Sequence, residues 1–253
     1  MKLAYHYFPR SHWSRIISLV LFEKGLWNDV ERNLVDIREN ASFDPDYLRL
    51  NPRGVVPTLV VDGEAWCNSP NIATRLDAVT GPPMMPSDPN AVEWVKELER
   101  AKVMHLSYEV WTRGLKGEQS KDILDDKVER ARLYADAHPA QRELYERKGL
   151  YFQKFRDELR DPEHMRGVHD QTRATLSRLS ARVQADSWAA GSSWSFADAI
   201  ATSMLFRLVD LGSIDEWNVP ADPLYAYYER LKARPSFAAV WTDDPMLAVI
   251  DGE

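Results

Sequence analysis

The sequence has almost no cysteine: one residue, Cys67, in 253. An intrachain disulfide framework is excluded, and the usage fits a reducing compartment. Positive charge is also short. Lys and Arg number 32 against 39 Asp and Glu, a formal charge of −7, and no basic block stands out as a footprint for nucleic acid. Long apolar runs are missing: Ile16 to Phe22 is broken by Ser18 and falls far short of a bilayer span. The opening MKLAYHYFPR lacks the basic, apolar, small-residue succession of a secretory signal. A cytoplasmic protein with neither membrane nor nucleic acid as partner is expected. The 6 histidines show no metal-ligand spacing. His164 and His169 lie in a polar stretch and read as surface residues, so no metal is expected.

What remains is 44% hydrophobic and 28% charged, enough for a core in one large domain or two small ones. Lys2 to Tyr7 reads as a strand stopped by Pro9. Ser14 to Lys24 carries Ile16, Ile17, Val20 and Leu21 at helical spacing, closed by Gly25. Val30 to Val35 is a second strand, and Asp44 to Leu50 a short helix halted at Asn51-Pro52. Thr58–Val61 and Glu64–Cys67 flank Asp62-Gly63, a two-residue hairpin signal. Ser69 reads as the N-cap of a helix to Leu76, with Pro70 in its first turn. The order β-α-β-α-β-β-α occupies about 80 residues. Gly81 to Pro89 then holds four prolines in nine residues and reads as a linker. The expected division is 1–80, a linker at 81–90, and 91–253.

The remainder is patterned as helix throughout. Leu124, Val128, Ala131 and Ala135 repeat at helical spacing, as do Thr172, Leu176, Leu179 and Val183. Ala197 to Val209 is apolar almost all round, the mark of a buried helix, and Ser195 to Asp198 has capping-box spacing.

Three local features bear on chemistry, each with a plain structural alternative. Pro57 precedes a short β-run, where it donates no ladder hydrogen bond. It is either a loop-to-strand turn or a cis-proline that presents the Val56 N–H and C=O to an extended ligand. Asn68-Ser69-Pro70 is either a helix cap or a carboxylate-binding corner. Ser11-His-Trp-Ser14 opens the first helix with hydroxyls where a redox protein would place two cysteines. These serines are either caps or donors to a ligand's thiolate.

Asn51-Pro-Arg-Gly-Val-Val-Pro57 followed by Asn68-Ser69-Pro-Asn-Ile72 resembles the glutathione-binding half of cytosolic glutathione transferases. Ala190-Gly-Ser-Ser-Trp-Ser-Phe-Ala-Asp198 resembles the start of that family's buried helix. The resemblance implies a thioredoxin-like α/β N-terminal domain, an all-α C-terminal domain, and glutathione as co-substrate. Two bacterial branches are similar. Tetrachlorohydroquinone dehalogenases share Phe43 to Asn51, Val55 to Val61, Asn68 to Ile72, Glu129 to Ala135 and Leu224 to Arg234. Glutathione-dependent β-aryl etherases of lignin degradation share the Glu23-Lys-Gly25 turn, Asn51 to Gly54 and a serine opening helix one. The dehalogenase pattern has a catalytic cysteine near that point; here its position falls on Trp13, so etherase chemistry is favoured.

By the same resemblance, Ser14, with Ser11 in reserve, is expected to hold the thiolate. Val56 before a cis Pro57 pairs with the cysteinyl unit, Asn68 and Ser69 take the γ-glutamyl carboxylate, and Arg53 or Arg38 meets the glycyl carboxylate. An aromatic second substrate is expected against Phe8 and Trp13 and the stripe of Met104, His105, Tyr108 and Trp111, whose spacing equally fits core or dimer contact. Dimerisation, with itself or a paralogous chain, is implied.

Overall fold

Alternation explains the first strand. In a computed structural model describing residues 1–113, 123–212 and 223–252, β1 (Leu3–Tyr7) buries Leu3, Tyr5 and Tyr7 on one face, and the rings of Tyr5 and Tyr7 stack at 4.6 Å. It pairs in parallel with β2 (Glu31–Leu34) and antiparallel with β3 (Thr58–Val61), and β3 pairs antiparallel with β4 (Glu64–Cys67). The sheet order is β2-β1-β3-β4. The hairpin turn forms as expected: Asp62 and Gly63 both take positive φ, 48° and 90°, as a type I′ turn requires.

Three helices complete the first 80 residues: α1 (His12–Glu23), α2 (Pro45–Leu50) and α3 (Ser69–Val79). Two boundaries differ from expectation. α1 begins at His12 with Ser11 as N-cap, and α3 begins at Ser69 with Asn68 as N-cap. In each case the cap lies one step or more upstream, at the residue whose side-chain oxygen meets a first-turn N–H.

The helical remainder comprises α4 (Pro89–Glu99), α5 (Val103–Thr112), α6 (Ile123–Ala137), α7 (Arg142–Arg160), α8 (Pro162–Asp186), α9 (Phe196–Asp210), α10 (Pro223–Lys232), α11 (Pro235–Trp241) and α12 (Pro245–Asp251). By packing, residues group into two compact units: Met1–Val35, Val56–Ala101 and Arg173–Glu253 in the first, Asp36–Val55 and Lys102–Thr172 in the second. This grouping and the 1–80 and 91–253 division do not coincide.

In the first unit, α9 is buried nearly all round, with Phe196, Ala197, Ile200, Met204 and Leu205 inaccessible. The Asp198 carboxylate accepts four hydrogen bonds, from the Ala189 and Ser195 N–H groups and the Ser195 and Tyr227 hydroxyls, at 2.6–2.9 Å. Lys24 at the end of α1 pairs with Asp77 on α3 at 2.8 Å, and Asp77 also accepts the Met84 and Met85 N–H groups, fixing the linker. At the other end of the chain, the Tyr7 hydroxyl donates to Asp244 at 2.8 Å and Arg10 forks onto Asp251. β1 and the C-terminal helices are thereby joined.

The second unit centres on Phe43, Leu48, Ala131, Ala135 and Tyr145. The Tyr145 hydroxyl donates to the Phe43 carbonyl at 2.8 Å. Lys148 reaches inward to the Ser42 and Gly54 carbonyls and lies over the Phe43 ring. Gly54 has φ +57°, and a Cβ there would meet Lys148 Nζ, the Ser42 carbonyl and Leu48; only glycine fits.

Candidate active site

A helix leaves its first N–H groups without intrahelical partners, so their fate decides whether its start can receive a ligand. At α1, Ser14 N–H donates to the Ser11 hydroxyl at 3.4 Å and Arg15 N–H to the Ser11 carbonyl at 2.9 Å. The N–H groups of His12 and Trp13 meet no acceptor among the described residues. Cations reinforce the helix dipole in this region. Arg15 is buried on Phe206 and Trp241, and Arg207 donates to the Arg10 carbonyl at 2.7 Å. Burial, with these two guanidiniums adding to it, pulls the His12 imidazole down to about 3. His12 is therefore neutral, with Nδ1 2.8 Å from the Ser203 hydroxyl.

The two serines divide here, against the expected ranking. Ser14 is 0% exposed, and its hydroxyl oxygen accepts the Phe8 N–H at 3.3 Å. A ligand sulfur has no surface of Ser14 to meet. Ser11 is partly exposed; its oxygen accepts from Ser14 N–H, which leaves the hydroxyl proton to donate outward. The helix register produces the exchange: the N-cap projects from the helix start, and the third helical residue turns under it.

The Val56–Pro57 peptide is cis. The neighbouring Val55 carbonyl accepts both the Tyr47 hydroxyl and the Asn51 amide at 2.7 Å. Among the described residues, the Val56 N–H and C=O form no hydrogen bond. An extended peptide could pair with both. At α3, the Asn68 side chain accepts Asn71 N–H and its carbonyl accepts Ile72 N–H, while Pro70 has no N–H. Among the described residues, that leaves the Ser69 N–H as the open donor of the first turn. Ser69 itself is buried and Asn68 is exposed with φ 72°, so the backbone and the asparagine, more than the serine hydroxyl, face outward.

Of the two arginines expected at a carboxylate, Arg38 is engaged two residues away, where Asp36 accepts from its Nε and Nη2 at 3.1 and 2.7 Å. Arg53 is exposed and has no ion pair among the described residues. The aromatic stripe also divides. Phe8 is buried and Trp13 half-buried, edge-on to His12. On α5, Met104, Tyr108 and Trp111 are half-buried, with the Tyr108 ring against Trp111 and Phe155. His105 is buried, 3.0 Å from Glu158.

Residues 10–79 match the family described as glutathione S-transferase, N-terminal domain. Over 201 residues, 78% of this chain and 78% of the relative, the sequence is 31% identical to a tetrachloro-p-hydroquinone reductive dehalogenase of Sphingobium chlorophenolicum. The chain belongs to the glutathione S-transferase family. Solved glutathione S-transferase folds agree. The β-etherase LigF of Sphingobium sp. strain SYK-6 superposes with a TM-score of 0.69 over 96% of this chain and 100% of its own, at 23% identity. A glutathione S-transferase of Methylobacillus flagellatus, solved with glutathione bound, gives a TM-score of 0.60 over 94% and 98%, at 21% identity.

As a glutathione S-transferase, the chain has a small mixed sheet followed by a helical region, the expected fold class. No helix among its described residues is long and apolar enough to cross a membrane. Two features escape the sequence. The buried Arg15 and Arg207 near α1 are unremarkable as letters, although Arg207 interrupts an otherwise apolar helix. His164 and His169 are both half-buried rather than on the surface; His164 shares a cluster with His105 and Glu158, and His169 lies 2.8 Å from Glu109.

Proposed function

We propose that this protein is a glutathione transferase that attacks aromatic substrates through the glutathione thiolate, with cleavage of a β-aryl ether as the favoured reaction. The observation that carries the proposal is the unpaired Val56 backbone beside a cis Pro57, with open donors at the starts of both α1 and α3. In this reading the cysteinyl unit of glutathione pairs with Val56, and the γ-glutamyl carboxylate meets the Ser69 N–H and Asn68. Ser11 donates to the sulfur. Trp13 is the aromatic surface available beside α1.

The magnitudes are sufficient. A free thiol with a pKa of about 8.5 needs about 2.7 kcal/mol of preference for its anion to ionise two units lower. A hydroxyl donating to a charged sulfur supplies about 1.5–3 kcal/mol. The α1 dipole adds about 0.3–1 kcal/mol. In the reaction the thiolate attacks the ether carbon beside a ketone; the C–S bond forms as the C–O bond breaks, and the phenolate leaves with the electron pair.

The similarity to a reductive dehalogenase supports a second reading, substitution on a chlorinated hydroquinone. The only cysteine, Cys67, lies at the end of β4 and not in α1, so such a reaction would stop at the glutathione conjugate. An assay with glutathione and, side by side, a β-aryl ether ketone and a chlorinated hydroquinone separates the readings. Phenol release supports the first and conjugate accumulation the second. Failure to bind glutathione by titration refutes both and leaves a non-catalytic partner subunit. Dimerisation and a cytoplasmic location belong to the same proposal.

A further inference from the structure

Three helices of the second unit converge on a group that the glutathione reading does not use. His105 comes from the first turn of α5, Glu158 from the last turns of α7, and His164 from the first turn of α8. One ligating atom from each lies within 4.8 Å of both others. His105 Nε2 is 3.0 Å from Glu158 Oε2, and the His105 and His164 rings are 5.4 Å apart at a tilt of 32°. His164 Nε2 is fully buried and has no hydrogen-bond partner among the described residues. A buried ring nitrogen without a partner is costly in a folded protein. Two imidazoles and one carboxylate are also a ligand set that divalent transition metals favour.

We propose that His105, Glu158 and His164 bind a divalent transition-metal ion, zinc being the probe of choice, with water as a fourth ligand. Zinc holds nitrogen and oxygen at about 2.0–2.2 Å, which spaces tetrahedral ligands by roughly 3.3 Å. The His105–Glu158 contact must open by a few tenths of an ångström and the longer separations must close, both within side-chain rotation. A surface groove of about 490 Å³ lined by Leu150, Gln153, Lys154, Asp157, Glu158 and Asp161 reaches Glu158. It supplies an entry path and room for the water. Asp157 and Asp161 offset the charge of Lys154 there. The bound ion would tie α5, α7 and α8 together at one point. Ligands from three helices leave no spacing signature in the sequence.

The test uses the full chain, free of tags and metal, in the absence of glutathione, which itself binds zinc. Titration of Zn²⁺ against a chromophoric competitor is expected to show one equivalent per chain. Co²⁺ in its place should give the intense visible bands of four-coordination, and Zn²⁺ should raise the melting temperature until a chelator removes it. His164→Gln and Glu158→Gln should each weaken binding by at least about tenfold, with circular dichroism unchanged. His169→Gln, whose partner is Glu109, should bind as the wild type does. No binding, weak six-coordinate cobalt bands, or full affinity in His164→Gln each overturns the site. Should one variant fail to fold, the cobalt spectrum and zinc-dependent melting of the wild type still decide.

Discussion

The starts of α1 and α9 are both capped by a serine, yet they leave different donors open. At α9 only the Ala197 N–H meets no acceptor among the described residues. Phe196 N–H goes to the Met84 carbonyl at 2.8 Å, Asp198 N–H returns to Ser195, and the Asp198 carboxylate collects four donors. At α1, Ser11 serves two first-turn N–H groups, and those of His12 and Trp13 stay open among the described residues. The first arrangement holds a buried helix in place, and the second leaves two adjacent donors at the helix start. A cap motif alone does not distinguish them; the destination of every first-turn N–H does.

The largest expected effect comes from breaking the closed start. Asp198→Ala strands four donors in a buried site and should cost about 3–5 kcal/mol in urea unfolding, without a specific effect on glutathione affinity in whatever fraction folds. The open start is sharpened by a pair of variants. Ser11→Ala should cut turnover roughly tenfold to a hundredfold, the loss of about 1.5–3 kcal/mol, with the KM for glutathione nearly unchanged. Ser14→Ala should instead lose about 1 kcal/mol of stability and keep its turnover within a few-fold. The opposite assignment, with Ser14→Ala stable and inactive, would return the thiolate to Ser14.

The second unit inverts the problem, since carbonyls there await a donor. Burial and the Lys127 charge pull the Lys148 ammonium down to about 7, against about 10.4 in an unfolded chain. Between those values the unfolded state binds more protons, so stability should rise with pH across that window, by a few kcal/mol at most. Lys148→Met should flatten the rise, read as melting temperature between pH 7 and pH 10. The smallest effect belongs to α3. Asn68→Gly keeps the positive φ and should change stability by only a few tenths of a kcal/mol, while the KM for glutathione rises several-fold if Asn68 meets the carboxylate. An unchanged KM would confine Asn68 to capping.

Features written in consecutive residues were legible beforehand. The Asp62-Gly63 turn, the backbone at Val56-Pro57 and the Ser195–Asp198 box each depend on neighbours within a few positions. The difference in exposure between Ser11 and Ser14 was not, because it turns on whether the cap is residue 11 or 14, a matter of one helical turn. Arg38 pairs with Asp36, a partner two residues away that the sequence itself displays. The nearness of His105 and His164 was hidden for a different reason. Their meeting requires α5, α7 and α8 to converge, and no local pattern reports a convergence of three elements.

The bond from Tyr7 to Asp244 joins residues 237 positions apart. During synthesis, the phenol of the first strand must wait, without its acceptor, until residue 244 has left the ribosome. The N-terminal sheet therefore cannot reach its final packing as an early, self-sufficient product of translation. Its completion is deferred to the moment the C-terminal helices arrive.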